Sequence, residues 1–164
     1  KQAPHEGGIR TPIMLKWPGN VAPEMDKTTL VSSIDLAPTI LKACNIAVPP
    51  TMTGLDLRDK AALQTRNAIH GYDGNHDIFD LENRTSNMET RYIIEGDWKL
   101  LEHHPSPTLF RAYNGVFTGK VDNKEGKPEL YNLIKDPHEK VNLAAQNPDQ
   151  VKALQAKILK WWES

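Results

Sequence analysis

The sequence predicts a mixed α+β fold whose later part is an antiparallel sheet backed by a C-terminal helix. Three observations carry this: four short β-forming runs beyond residue 66, a glycine hairpin signal between two of them, and a final segment with helical apolar spacing. The runs are 67–72, 91–94, 98–102 and 129–133, and the middle two join through Glu95-Gly96-Asp97. The last segment opens with Asn147 as N-cap, Pro148 at the first helical position and Gln150 completing a capping box. Val151, Leu154, Ile158 and Trp161 then recur at helical spacing, so this helix is expected to lie on the sheet.

The earlier elements follow the same reasoning. Residues 9–17 mix β-branched and apolar types between Gly7-Gly8 and Pro18-Gly19, which reads as a buried strand with a break near Pro12. Asp35 caps a helix that tolerates Pro38 in its first turn; Leu36, Ile40, Leu41 and Cys44 share a face, with Cys44 read as buried, and the helix ends near Asn45. Pro49-Pro50 and Thr53-Gly54 mark 47–66 as a surface connection, with a boundary near residue 65. The stretch 103–128, rich in Pro, Gly, Asn and Lys, reads as a functional or mobile loop, and His103-His104 as part of its solvated start.

Composition narrows the function classes. Thirty-eight per cent hydrophobic and 25% charged residues are ordinary for a globular chain of 164 residues. Twenty basic against twenty-one acidic side chains leave no field that would gather nucleic acid or anionic lipid. No apolar run reaches the eighteen or so residues a membrane helix needs. One cysteine permits neither an intrachain disulfide nor a thiolate zinc site. Lys1 is followed by no signal-peptide pattern, so the chain reads as starting inside something larger or inside a mature protein.

The densest polar constellation is Lys1-Gln-Ala-Pro-His5-Glu6-Gly7-Gly8-Ile9-Arg10-Thr11-Pro12. Its cations suit a sulfate or phosphate, and its glycines allow close backbone approach. An internal Glu6–Arg10 ion pair with a packing His5 fits the same residues. A second cluster, His70-Gly-Tyr-Asp-Gly-Asn-His76-Asp77, falls where a strand runs into a loop; turns account for its glycines better than metal ligation does. Sugar recognition by His76 and Asp77, with Arg91 nearby, is the stronger reading there. Trp161 and Trp162 are neighbours on a helix and cannot both face one ligand, so packing is favoured over carbohydrate stacking.

Five ordered segments resemble the type I sulfatase family of the alkaline-phosphatase superfamily: the 1–12 motif with Lys16-Trp17-Pro18-Gly19, then Ile34-Asp35-Leu36-Ala37-Pro38-Thr39-Ile40, Gly96-Asp97-Trp98-Lys99-Leu100, Glu129-Leu130-Tyr131-Asn132-Leu133, and Asp136-Pro137-His138-Glu139 with Asn142-Leu143-Ala144. The resemblance implies a sulfate-ester hydrolase in which a formylglycine nucleophile acts beside calcium, with lysines and histidines offsetting sulfate charge. It implies residues 1–65 as the end of the large catalytic domain and 66–164 as a C-terminal subdomain with a four-stranded sheet and terminal helix. By the same resemblance Lys1 is the catalytic, sulfate-contacting lysine; His5 and Arg10, from the same motif, are candidate substrate-side residues. The partner is a sulfated glycan or small molecule, and the location periplasmic or secreted.

The chain departs from the family in two ways. Neither the Cys-or-Ser-x-Pro-x-Arg nucleophile signature nor the metal ligands occur here, so they are expected upstream of Lys1 and this stretch alone is expected to be inactive. At His5 the family more often has Tyr or Phe, which fits either a substrate contact or a packing replacement. A related phosphodiesterase or phosphonate hydrolase, and a non-catalytic glycan-binding module, are the alternatives. Apolar surface normally covered by the upstream part is expected to promote self-association.

Overall fold

A single four-stranded sheet, ordered β1-β2-β3-β4, is the centre of the later unit: β1 Ala68–Gly74, β2 Met88–Glu95, β3 Trp98–His103 and β4 Glu129–Asn132. The helices are α1 Glu6–Ile9, α2 Leu36–Ala43, α3 Lys60–Gln64 and α4 Pro148–Glu163. The computed structural model describes residues 4–74, 81–104 and 126–164. It contains two units, one formed by Lys1–Arg10 together with His70–Ser164, the other by Thr11–Ile69.

In the first unit, β2–β3 and β3–β4 are antiparallel, and Glu95 pairs with Trp98 so that Gly96 and Asp97 alone make the turn. Gly96 has φ +54°, in the region that favours glycine, which suits it to this two-residue turn. Direct pairing of Ile93 with Leu100, and of Leu100 with Leu130, places these three on one face. There they meet Val151, Leu154, Ile158 and Trp162 of α4, and Ile93, Leu100, Leu130 and Ile158 are completely buried. Removing such a side chain costs about 2–5 kcal/mol, so this contact is what anchors the helix.

Two details of α4 differ from the sequence reading. Asn147 sits at the N-cap but makes no cap bond; its amide Nδ2 donates to Leu143 O at 3.0 Å, because a 3-10 turn at Ala144–Gln146 brings that carbonyl within reach. Trp162 takes the buried end of the stripe, its Nε1–H donating to Thr85 Oγ1 at 3.1 Å, while Trp161 stacks on His70 with centroids 5.1 Å apart.

The second unit centres on Asp35. Its carboxylate accepts from Ser32 N (2.8 Å), Leu55 N (2.7 Å) and both Arg66 Nη atoms (2.6 Å each). Burial would raise this carboxyl, but donation from Arg66, Leu55 and Ser32 outweighs it and holds the group below the usual range. Thr39 adds a second tie, donating to Asp35 O and accepting from Leu57 N. Residues 54–57 are therefore tied to the start of α2 rather than forming a free surface connection. Gly54 shows how closely: a Cβ there would lie 2.1 Å from Ile34 O.

Helix α2 ends as expected, with Asn45 at φ +57° and paired bonds Ile46 N→Leu41 O and Asn45 N→Lys42 O, a Schellman arrangement. Its orientation differs from the sequence reading. Pro38 and Thr39 face inward, whereas Leu36, Ile40 and Cys44 are exposed, because the Asp35 and Thr39 bonds fix the opposite face. The strand predicted for 9–17 is also absent: Ile9 closes α1, and residues 11–16 have no regular structure. A strand needs a neighbour for its N–H and C=O groups, and none is offered there among the described residues.

Candidate functional site

The face of the sheet opposite α4 is polar. Alternation along β2 and β3 sends Thr90, Tyr92, Lys99, Leu101 and His103 to this side, and register adds Glu129 and Tyr131 from β4. Onto these side chains folds the N-terminal segment carrying His5 and Glu6.

Two linked polar clusters hold it. In the first, the Lys99 side chain is completely buried, with Nζ 3.1 Å from Glu6 Oε1 and 2.8 Å from Glu139 Oε1, and 5.6 Å from the centre of the Tyr92 ring. The Glu139 side chain is itself only 2% exposed, and its other oxygen accepts from Glu6 N at 2.5 Å, so one carboxylate binds both the lysine and the first N–H of α1. Glu139 adopts φ +52°, unusual for a residue other than glycine. Burial, then the nearby Glu6 and Asp73 charges, push the Tyr92 phenol up.

In the second cluster Glu129 is the hub. Its Oε2 lies 3.0 Å from His5 Nε2 and 2.7 Å from Tyr131 Oη, and its Oε1 is 3.1 Å from His103 Nε2. His103 Nδ1 is 2.9 Å from Thr90 Oγ1, consistent with an Nε2–H tautomer whose Nδ1 accepts from the hydroxyl. Burial would raise the Glu129 carboxyl, yet donation from His103, His5 and Tyr131 holds it well below the usual carboxylate range. The Tyr131 phenol moves up, first through burial and then through its bond to Glu129.

The sequence-predicted residues divide clearly. His5 is in the network, with its ring edge-on to Tyr131. Arg10 is 70% exposed and only 4.0 Å from Glu6, so the expected internal pair is weak and Glu6 turns mainly to Lys99. Arg91 is taken up by its cross-strand partner Glu102, at 2.5 Å, and lies over the Trp162 ring on the α4 face. Lys1, His76 and Asp77 lie outside the described residues, as does most of the 103–128 stretch. His103 is no solvated loop residue; it ends β3, buried between Thr90 and Glu129.

Lys99, Glu139, Glu129 and His103 were not singled out from sequence as site residues. Their partners are far away in the chain, 93 residues separating Lys99 from Glu6. The one available signal was a lysine inside the apolar run Trp98-Lys99-Leu100-Leu101. Among the described residues no group of three or more His, Cys, Asp or Glu side chains is arranged to hold a metal ion. No helix among them is long and apolar enough to cross a membrane.

Comparison with known proteins gives a consistent result. A family model described as N-sulphoglucosamine sulphohydrolase, C-terminal, matches residues 1–116. The chain is similar to an N-acetylgalactosamine-6-O-sulfatase of Bacteroides thetaiotaomicron, 27% identical over 157 residues, covering 94% of this chain and 27% of that protein. It is 30% identical over 173 residues to arylsulfatase A of Homo sapiens, covering 98% of this chain and 32% of that protein. Its fold matches the structure of yidJ from Bacteroides fragilis, with a TM-score of 0.60, 20% identity, and coverage of 90% of this chain and 28% of that one. The chain therefore spans about a quarter to a third of the length of these relatives.

Proposed function

This chain belongs to the N-sulphoglucosamine sulphohydrolase C-terminal family of sulfatases, and from that premise we propose that it is the C-terminal part of an enzyme that hydrolyses sulfate esters, those of sulfated carbohydrates in particular. The observation that carries the reading is the N-terminal motif: the family match begins at residue 1, and His5-Glu6 of that motif is held on the sheet by buried partners.

Lys1 would contact a sulfate oxygen and offset charge that builds up as the ester bond breaks. His5 and Arg10 would stand on the substrate side of the same segment, and His76 and Asp77 at the mouth that receives the sugar. Arg91, already bound to Glu102, would support that mouth rather than touch the substrate. A formylglycine nucleophile and calcium, implied by the sulfatase reading, would come from sequence preceding Lys1. In this reading residues 1 to about 65 finish the large catalytic domain and the remainder is its C-terminal subdomain. The enzyme would work in the periplasm or outside the cell.

The test is to express the chain together with the coding sequence that precedes it and to measure sulfate release from 4-nitrophenyl sulfate and from 6-O-sulfated N-acetylgalactosamine. Sulfate release that falls on chelation and returns with calcium is the expected result. Hydrolysis of bis(4-nitrophenyl) phosphate, assayed in parallel, with no sulfate release would move the protein to the phosphodiesterases. Binding of sulfated glycan by the 164-residue chain, with no hydrolysis in the longer one, would make it a binding module.

A further inference from the structure

We infer that Lys99 and Glu139 are positioning residues, a buried clamp that fixes the segment carrying Lys1 by holding Glu6; the inference rests on the reading of Lys1 as the sulfate-contacting lysine.

The geometry argues for location more than for stability. Burying an ammonium group between two carboxylates has a large desolvation cost, and apolar residues of similar volume often serve stability as well or better. Here the lysine is completely buried, and its second partner, Glu139, sits on a left-handed backbone that few side chains adopt. What this arrangement adds is direction. Glu139 takes the lysine with one oxygen and Glu6 N with the other, while Lys99 takes the Glu6 carboxylate. Both ends of one residue are thereby fixed, its backbone and its side chain. Lys1 is five residues ahead of Glu6 and four ahead of His5, so the Glu6 clamp and the His5–Glu129 contact together limit its reach, and loosening Glu6 removes one of these two holds. Displacing a contacting group by about 1 Å can cost about a hundredfold in rate.

The clamp thus acts through Lys1, which separates it from a merely structural contact. The experiment compares K1A, K99M and the double variant in the longer polypeptide that includes the preceding coding sequence, using 4-nitrophenyl sulfate as probe. Hydrogen exchange is followed in parallel at residues 6–10 and along β2–β3. K99M should lower kcat about a hundredfold, change KM much less, and strip protection from Gly8, Ile9 and Arg10 while β2–β3 stays protected. Added to K1A it should cost less than about threefold more, because the lysine it positions is already gone. Should K99M also open β2–β3, E139Q is read by the same criteria. Full multiplication of the two losses, or unchanged exchange at 6–10, overturns the clamp. A K1A variant with full turnover overturns the sulfate-contact reading of Lys1 and the clamp's catalytic role with it, an outcome distinct from additivity.

Discussion

Glu129 illustrates how a single residue sets the behaviour of its surroundings. Because its folded-state pKa is depressed below the ordinary 4.5, it contributes stability that is complete above that value and is lost as pH falls toward the folded one. Urea midpoints should therefore drop with acidification below about pH 4.5. Glu129→Gln should flatten that part of the curve, and an unchanged acid slope would show that another carboxyl controls it. Asp35 gives the second case. Arg66→Ala leaves its carboxylate buried without its bidentate partner, so a loss of about 3–5 kcal/mol in chemical denaturation is expected. Charge was easy to see in the sequence at both places, but pairing was not. Asp35 and Arg66 are 31 residues apart, and Glu129 lies 124 from His5. Local spacing rules reach four residues along a helix or two along a strand, so such partners carry no short-range signature.

Elements were more legible, for the same reason. The β2–β3 hairpin and α4 are specified locally, by a two-residue turn and by a repeat of three to four residues, and both lie within a few residues of their expected limits. Where tertiary bonds compete with local pattern, the sequence reading fails: α2 turns its apolar residues outward because Asp35 and Thr39 are tied to residues 55 and 57. Gly54→Ala should consequently be among the most damaging small changes, since the obstructing atom is backbone, Ile34 O, and cannot rotate away. Gly96→Ala meets open space and should cost only the left-handed penalty of about 1–2 kcal/mol. Thermal melts of the two variants should rank in that order; the reverse ranking would mean that residues 52–55 are free to move.

For the whole molecule, exposed apolar side chains are the dominant expectation. Met14, Met25, Ile40 and Ile46 are each more than half exposed in the unit 11–69. The 164-residue chain should self-associate, and Met25→Glu with Ile40→Glu should shift sedimentation toward monomer. A monomeric parent chain would remove the need for any cover over these residues. The family could be recognised from ordered motifs alone. The nucleophile and metal ligands that the proposed activity requires could not be traced in this chain, which spans only about a quarter to a third of its relatives.

The grouping of residues 1–10 with 70–164 also has a consequence in time. Glu6 meets its partner Glu139 only after 133 further residues have been added, which at 5–20 residues per second is roughly 7 to 27 s of synthesis. During that interval the segment bearing Lys1 is without the groups that later hold it. A stop codon that falls between β4 and Glu139 would leave the 1–12 motif with nowhere to dock, so damage there would be felt more than a hundred residues upstream.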